Sequence, residues 1–264
     1  MIEPIEVAGS RAWLKHYRNG RRRRLRLAAL DLVARRLELD PLRPPPRHGG
    51  TEALRTEQRR LGQLSRAGVR VPEILGVGRT TLLLSDLGPT LGSQMGAANG
   101  EPTRLDGLAS AAIEAIADGH ARGGYFGQPW PRNLTVGDAG VGFLDFEEDP
   151  LEVMPLPHAQ ARDWAVFTYG VARHYGDRPQ VLERMLADAL SRAPAGVPGA
   201  VAGMGRGLRP VERVAAPWRS RSMQALVRAA SVLRKASVLL LVVALLLGVD
   251  LLHDGELDLF DLLS

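Results

Sequence analysis

The segment from Gly119 to Pro150, GHARGGYFGQPWPRNLTVGDAGVGFLDFEEDP, sets the tightest limits on what this chain can become. His120 closes an apolar helical stretch, Gln128 follows eight residues later, and Asn133 five after that. A short strand, VGFLDF, then delivers Asp145 at the end of a hairpin, twelve residues beyond Asn133. The amide oxygen of Asn133 and the carboxylate of Asp145 are hard oxygen ligands, and together they suit a Mg²⁺ ion held against nucleotide phosphates. Singly, each reads as a turn Asn or a strand-end Asp; jointly, at this spacing, they point to phosphoryl transfer.

The segment resembles the atypical bacterial branch of the protein-kinase-like superfamily, the relatives of the lipopolysaccharide-core and Kdo kinases. The pattern of that branch is L-H-x-x-G-x-x-H-G-D-x-x-x-x-N, then hydrophobic residues and D-F/L. His120 fits the first His, and Asn133 and Asp145 fit the two metal-binding positions. Phe126, Gly127 and Gln128 stand where His-Gly-Asp would be, and the amide at Gln128 has no proton-accepting carboxylate. The resemblance implies a two-lobed α+β fold, with a small strand-rich N-terminal lobe over residues 1–87 and a larger helical lobe over residues 88–264. It implies ATP and Mg²⁺ as cofactors, with Gln128 and Asp145 in catalytic positions and a lipid, glycan or protein hydroxyl as acceptor. The alternative is a pseudokinase, a nucleotide-binding or membrane-associated scaffold with little or no turnover.

Lysine usage sharpens the N-terminal reading. Of 34 basic Lys and Arg residues only Lys15 and Lys235 are lysine, so the basic set is almost all arginine. The two side chains are interchangeable on a surface but not in a tight site. Ile2–Val7 and Arg11–Tyr17 read as short strands about Ala8-Gly9-Ser10, with Trp13, Lys15 and Tyr17 on one face. By the resemblance, Lys15 is the lysine that grips the nucleotide α- and β-phosphates. Glu57, in a helix expected from a Thr51 cap to Ala67, is its ion-pair partner, with Glu52 as rival. No G-x-G-x-x-G precedes Lys15, so any loop over the phosphates is short.

At 264 residues the chain is long enough to bury a full core. The absence of cysteine excludes disulfides, thiol catalysis and Cys-ligated zinc. The net charge of +5 suits phosphate or an anionic membrane surface. Basic runs without interleaved aromatics give no reason to expect nucleic acid. MIEPIEVAGS is too polar for a signal peptide, which leads to the expectation of a cytoplasmic protein.

The remaining elements follow from periodicity and breakers. A helix is expected over Gly20–Leu39, opening on the basic run Arg21–Arg24, with Leu25, Ala28, Ala29, Leu32, Val33 and Leu37 as its apolar face. Two strands over 71–81 and 82–87 end like an inter-lobe hinge, where an adenine edge would meet backbone near Ser85–Leu87, and Asp86 reads as a turn former. Ser93–Thr103 reads as a loop, Leu105–Ala121 as a helix, Ala159–Tyr175 and Leu182–Leu190 as helices, and Ala193–Pro210 as a flexible Gly/Pro loop. His120 is expected to be a buried structural histidine. Asp163 resembles the helix aspartate that bonds the catalytic-loop backbone, and in the acidic run Asp145–Asp149 Glu147 is the second candidate for metal or proton.

The tail is ambiguous. Ala236–Val249 is a fourteen-residue, predominantly apolar run after Arg228, Arg234 and Lys235. As a helix it is roughly 21 Å long against about 30 Å of hydrocarbon. A buried helix over 236–252 closing the larger lobe is the expectation, and a membrane-resting segment is the alternative.

Overall fold

The computed structural model describes residues 2–18, 24–46, 48–208, 224 and 227–236. The N-terminal part holds β1 (Ile2–Val7), β2 (Ser10–His16), α1 (Arg24–Arg36), α2 (Gly50–Arg66), β3 (Ile74–Val77) and β4 (Thr81–Ser85). The four strands make one antiparallel sheet in the order β1-β2-β4-β3. There follow α3 (Leu91–Ala97), α4 (Pro102–Ala121), the hairpin of β5 (Leu134–Gly137) and β6 (Gly140–Phe143), then α5 (Leu156–Val171), α6 (Pro179–Ser191) and α7 (Val197–Gly207). Residues 227–236 are also helical. The chain is thus mixed α/β, with an antiparallel N-terminal sheet and a helical C-terminal part.

The sheet follows from alternation and one tight turn. Ala8 and Gly9, at φ 51° and 77°, form a two-residue connection in which Val7 faces Ser10, the geometry whose twist matches paired strands. In β2 the period of two puts Trp13, Lys15 and Tyr17 on one face, with Trp13 opposite Leu84 and Lys15 opposite Leu82 of β4. Helix α2 turns a stripe of Ala53, Leu54, Leu61 and Leu64 inward, and Glu57 lies in the middle of that stripe.

In the helical part α5 is the pillar: Trp164, Phe167 and Val171 are fully buried in the main core with Ile113 and Ile116 of α4. Leu182, Leu186 and Leu190, four residues apart, turn α6 onto the same core. Ala230, Val232, Leu233 and Ala236 of the 227–236 helix also join it.

Five expectations need correction. Thr51 is not the cap of α2: Gly49 is, and Gly50 at φ 53° turns the chain into the helix one residue early, a conformation glycine adopts without a Cβ clash. The expected loop from Ser93 contains the end of α3, started by the Thr90 hydroxyl accepting from the Ser93 amide. The expected loop over 193–210 contains α7, where Val197, Val201 and Met204 bury one stripe. Its glycines permit close packing there; a Cβ at Gly207 would stand 2.5 Å from the Leu37 carbonyl oxygen. In α1, Leu32 and Val33 are exposed and Ala34 is buried, against the expected face, while Leu37 just after it packs on the core as expected. Asp86 is no mere turn former, because it accepts a 2.8 Å hydrogen bond from Trp13 Nε1.

Arg21–Arg23 and the apolar run after Ala236 lie outside the described residues. Among the described residues no helix is long and apolar enough to cross a membrane.

Candidate functional site

The sheet and the helical part meet at a cleft of about 440 Å³, within the range of small-molecule sites. Lys15 enters it from β2. Its ammonium sits 2.7 Å from Glu57 Oε2, 2.8 Å from Asp145 Oδ1 and 3.0 Å from Glu147 Oε1. Residues 42 and 130 positions from Lys15 thus converge on one nitrogen. Of the two glutamate candidates, Glu57 is the partner, while Glu52 is on the exposed face of α2 and pairs with His48.

Glu57 is 1% exposed, and a carboxylate that deep requires donors. It has the Lys15 ammonium, the Tyr17 hydroxyl at 2.6 Å and the Phe146 amide at 3.4 Å. Burial raises the Glu57 carboxyl above its ordinary range, while the Lys15 ammonium beside it works the other way. For Lys15, burial alone would favour the neutral amine, but Glu57, Asp145 and Glu147 outweigh it and hold the group above the ordinary lysine range. Burial, then the neighbouring Glu57, raises Tyr17, which stays a phenol able to donate.

Asp145 and Asn133 line the same cleft. The Leu144 amide donates to the Asn133 carbonyl at 2.8 Å and ties the end of the hairpin to the loop before it. Asp145 has φ 68°, a left-handed backbone that Asp tolerates better than most residues and that is most frequent at functional turns. Glu57, Asp145 and Glu147 each offer an oxygen, and these oxygens lie within 4.8 Å of one another. With Asn133 alongside, the donor set is all oxygen, which suits a hard divalent cation. The lining carries two cations, Lys15 and Arg132, against four carboxylates, Glu57, Asp86, Asp145 and Glu147. A polyanion entering such a cleft needs a cation with it.

Gln128 is placed differently. Its backbone carbonyl accepts from Asn133 Nδ2 at 3.0 Å, which orients the Asn133 amide. Its side chain is half-buried and is not part of the cleft lining. The loop that carries it is held from below by α5. Asp163 accepts from the Phe126 amide at 2.7 Å, the Gly127 amide at 2.6 Å and His120 Nε2 at 2.9 Å, all buried. Gln160 Nε2 donates to the His120 and Gly124 carbonyls. His120 is therefore structural, as expected, and Asp163 bonds the loop backbone. Phe126 stacks on Phe143 at 3.9 Å between ring centroids and on His120 at 5.7 Å, so it serves the core beneath the loop.

Sequence reasoning brought Lys15, Glu57, Asn133 and Asp145 to one place and named Glu147 beside them. It missed the Tyr17 hydroxyl on Glu57 and the Trp13–Asp86 bond at the cleft wall. The shared strand face of Trp13, Lys15 and Tyr17 was the available signal for the first; nothing local marks the second. No protein-family model matches this chain, and no curated protein matches it in sequence.

Proposed function

We propose that the chain is a protein-kinase-like protein that binds a nucleotide with Mg²⁺ in the cleft between its two parts and transfers a phosphoryl group to a hydroxyl. The observation that carries this reading is the buried Lys15–Glu57 pair, with Asp145 on the same ammonium and Asn133 in the same lining. Phosphoryl transfer asks the protein mainly for positioning and charge neutralisation. Lys15 is held by Glu57, which the Tyr17 hydroxyl in turn fixes, so its charge lines the cleft without a cost of ordering at each turnover. Asn133, Asp145 and Glu147 are the residues that would hold Mg²⁺, which supplies charge neutralisation on phosphate oxygens. Leu84 and the backbone of Ser85–Leu87 form the apolar end suited to a base.

A second reading, a nucleotide-binding protein without turnover, is favoured by Gln128. It lacks a carboxylate and stands outside the lining, and loss of general-base help costs typically 10²–10⁴ in rate. In both readings Mg-ATP stabilises the fold. At a hundred times the dissociation constant the gain is about 2.7 kcal/mol, or several degrees in a chain of this size. The test is thermal melting with ATP, with and without Mg²⁺, on wild type and Asp145→Ala, beside an assay of nucleotide hydrolysis. A Mg²⁺-dependent shift lost in Asp145→Ala is expected. No shift at millimolar Mg-ATP would falsify the nucleotide reading, and a shift without turnover selects the second.

A further inference from the structure

A second cavity, of about 790 Å³, lies on the other side of the loop that carries Asn133. It shares Thr90 and Arg132 with the cleft, so the two spaces meet across that wall. Its chemistry is opposite. Among the described residues, Arg132, Arg173 and Arg228 line it and no carboxylate does. None of the three is in an ion pair among the described residues, and Arg228 Nε is buried without a hydrogen-bond partner. Among the described residues Arg173 Nε is engaged only with its neighbour His174, at 3.0 Å. Arginines left without acids in a concave site are a standing demand for an anion, and the guanidinium fork matches phosphate oxygens. Trp130 and Tyr169, edge to face at 5.5 Å between centroids, supply an apolar wall against which the carbon skeleton of a polyol packs.

We propose that this cavity is the acceptor subsite and that it takes a small phosphorylated polyol, such as a sugar phosphate, anchored by Arg173 and Arg228. The role as acceptor site rests on the phosphotransferase reading above; the anion binding does not. The anchored acceptor presents a hydroxyl at the wall shared with the cleft. In the transfer its oxygen forms a bond to the terminal phosphorus of the nucleotide. The bridging P–O bond breaks with its electron pair going to the nucleoside diphosphate, and the hydroxyl proton leaves to solvent.

The experiment measures equilibrium binding of glucose 6-phosphate, glycerol 3-phosphate and unphosphorylated glucose. Phosphatidylcholine vesicles with and without phosphatidylglycerol are run alongside, to separate a soluble phosphate ester from a lipid headgroup. The proteins are wild type, Arg173→Gln, the double variant Arg173→Gln/Arg228→Gln, and Asp145→Ala. Arg173 is exposed at the rim, so its single variant keeps the test if the double variant folds poorly. The expected result is binding of both phosphate esters but not glucose, weakened at least about tenfold per arginine removed. The Mg-ATP melting shift stays intact in the arginine variants, and phosphate-ester binding stays intact in Asp145→Ala. Failure of both esters to bind, or equal binding by wild type and the arginine variants, overturns the proposal. Binding to phosphatidylglycerol vesicles alone overturns the soluble acceptor. Loss of the Mg-ATP shift in Arg173→Gln overturns the separation of the two sites. Arginine-dependent ester binding in a protein that shows no Mg-ATP shift keeps the anion site and removes its role as acceptor site.

Discussion

Lys15 is the one cation among three carboxylates, so its removal isolates charges rather than subtracting a contact. Glu57 is buried and would keep only the Tyr17 hydroxyl and a long amide bond. Lys15→Met is expected to destabilise the fold by about 3 kcal/mol, the low end for breaking a buried pair, because Asp145 and Glu147 are partly solvated. Lys15→Met with Glu57→Leu should recover most of that loss, read as the urea midpoint, since the buried acid goes with its partner. A double variant no more stable than Lys15→Met would place the stabilising role of Lys15 with Asp145 and Glu147 instead. A different acid contributes to stability against low pH. Hydrogen bonds from Arg178, at 2.8 and 3.0 Å, hold the Asp106 carboxyl below its ordinary range. A lowered folded value means the contribution is fully present above the unfolded value of about 3.9 and fades as pH falls through the folded one. Asp106→Asn should therefore be less stable than wild type at neutral pH, and the two melting curves should converge in acid.

At the scale of elements, the site depends on how closely α5 approaches the loop before β5. Gly170 faces Pro131 there, and a Cβ on it would stand 2.3 Å from Pro131 Cδ. Gly170→Ala is expected to cost about 1–3 kcal/mol as an overpacked contact and to weaken Mg-ATP binding by moving Asn133. Unchanged affinity beside lowered stability would separate the loop from the cleft. This dependence also explains what was legible in the sequence. The β2 strand, α2, α4 and the β5–β6 hairpin carry strong local patterns, and with them came Lys15, Glu57, Asn133 and Asp145. Helix α7 was hidden because its glycines argue for a loop locally, whereas Gly207 is needed for close packing against Leu37 and Leu39 from far along the chain. The exposure of Leu32 and Val33 in α1 has the same origin, since tertiary contact and not periodicity chooses which stripe is covered. The position of the Gln128 side chain was equally unreadable, because tertiary hydrogen bonds, among them Asn133 to the Gln128 carbonyl and the loop amides to Asp163, set the course of that loop.

For the whole molecule, the order in which the chain emerges matters. Lys15 belongs to the second strand, yet one of its partners lies 130 residues later. The sheet itself is complete by Ser85. During synthesis, then, every strand of the N-terminal sheet has been made before Phe126 and Asp145 have. Contacts of such long sequence separation carry the loop-closure cost that slows folding. A fragment ending at residue 87 should form strand pairs yet stay loosely packed, with dye-accessible apolar surface at Leu82 and Leu84, and amide exchange in β2 should slow only when residues through Asp145 are present. Lys15 thus ties the start of the chain to its middle: a chain that ends before the hairpin leaves its ammonium with Glu57 alone and the cleft without the wall that carries Asp145 and Glu147.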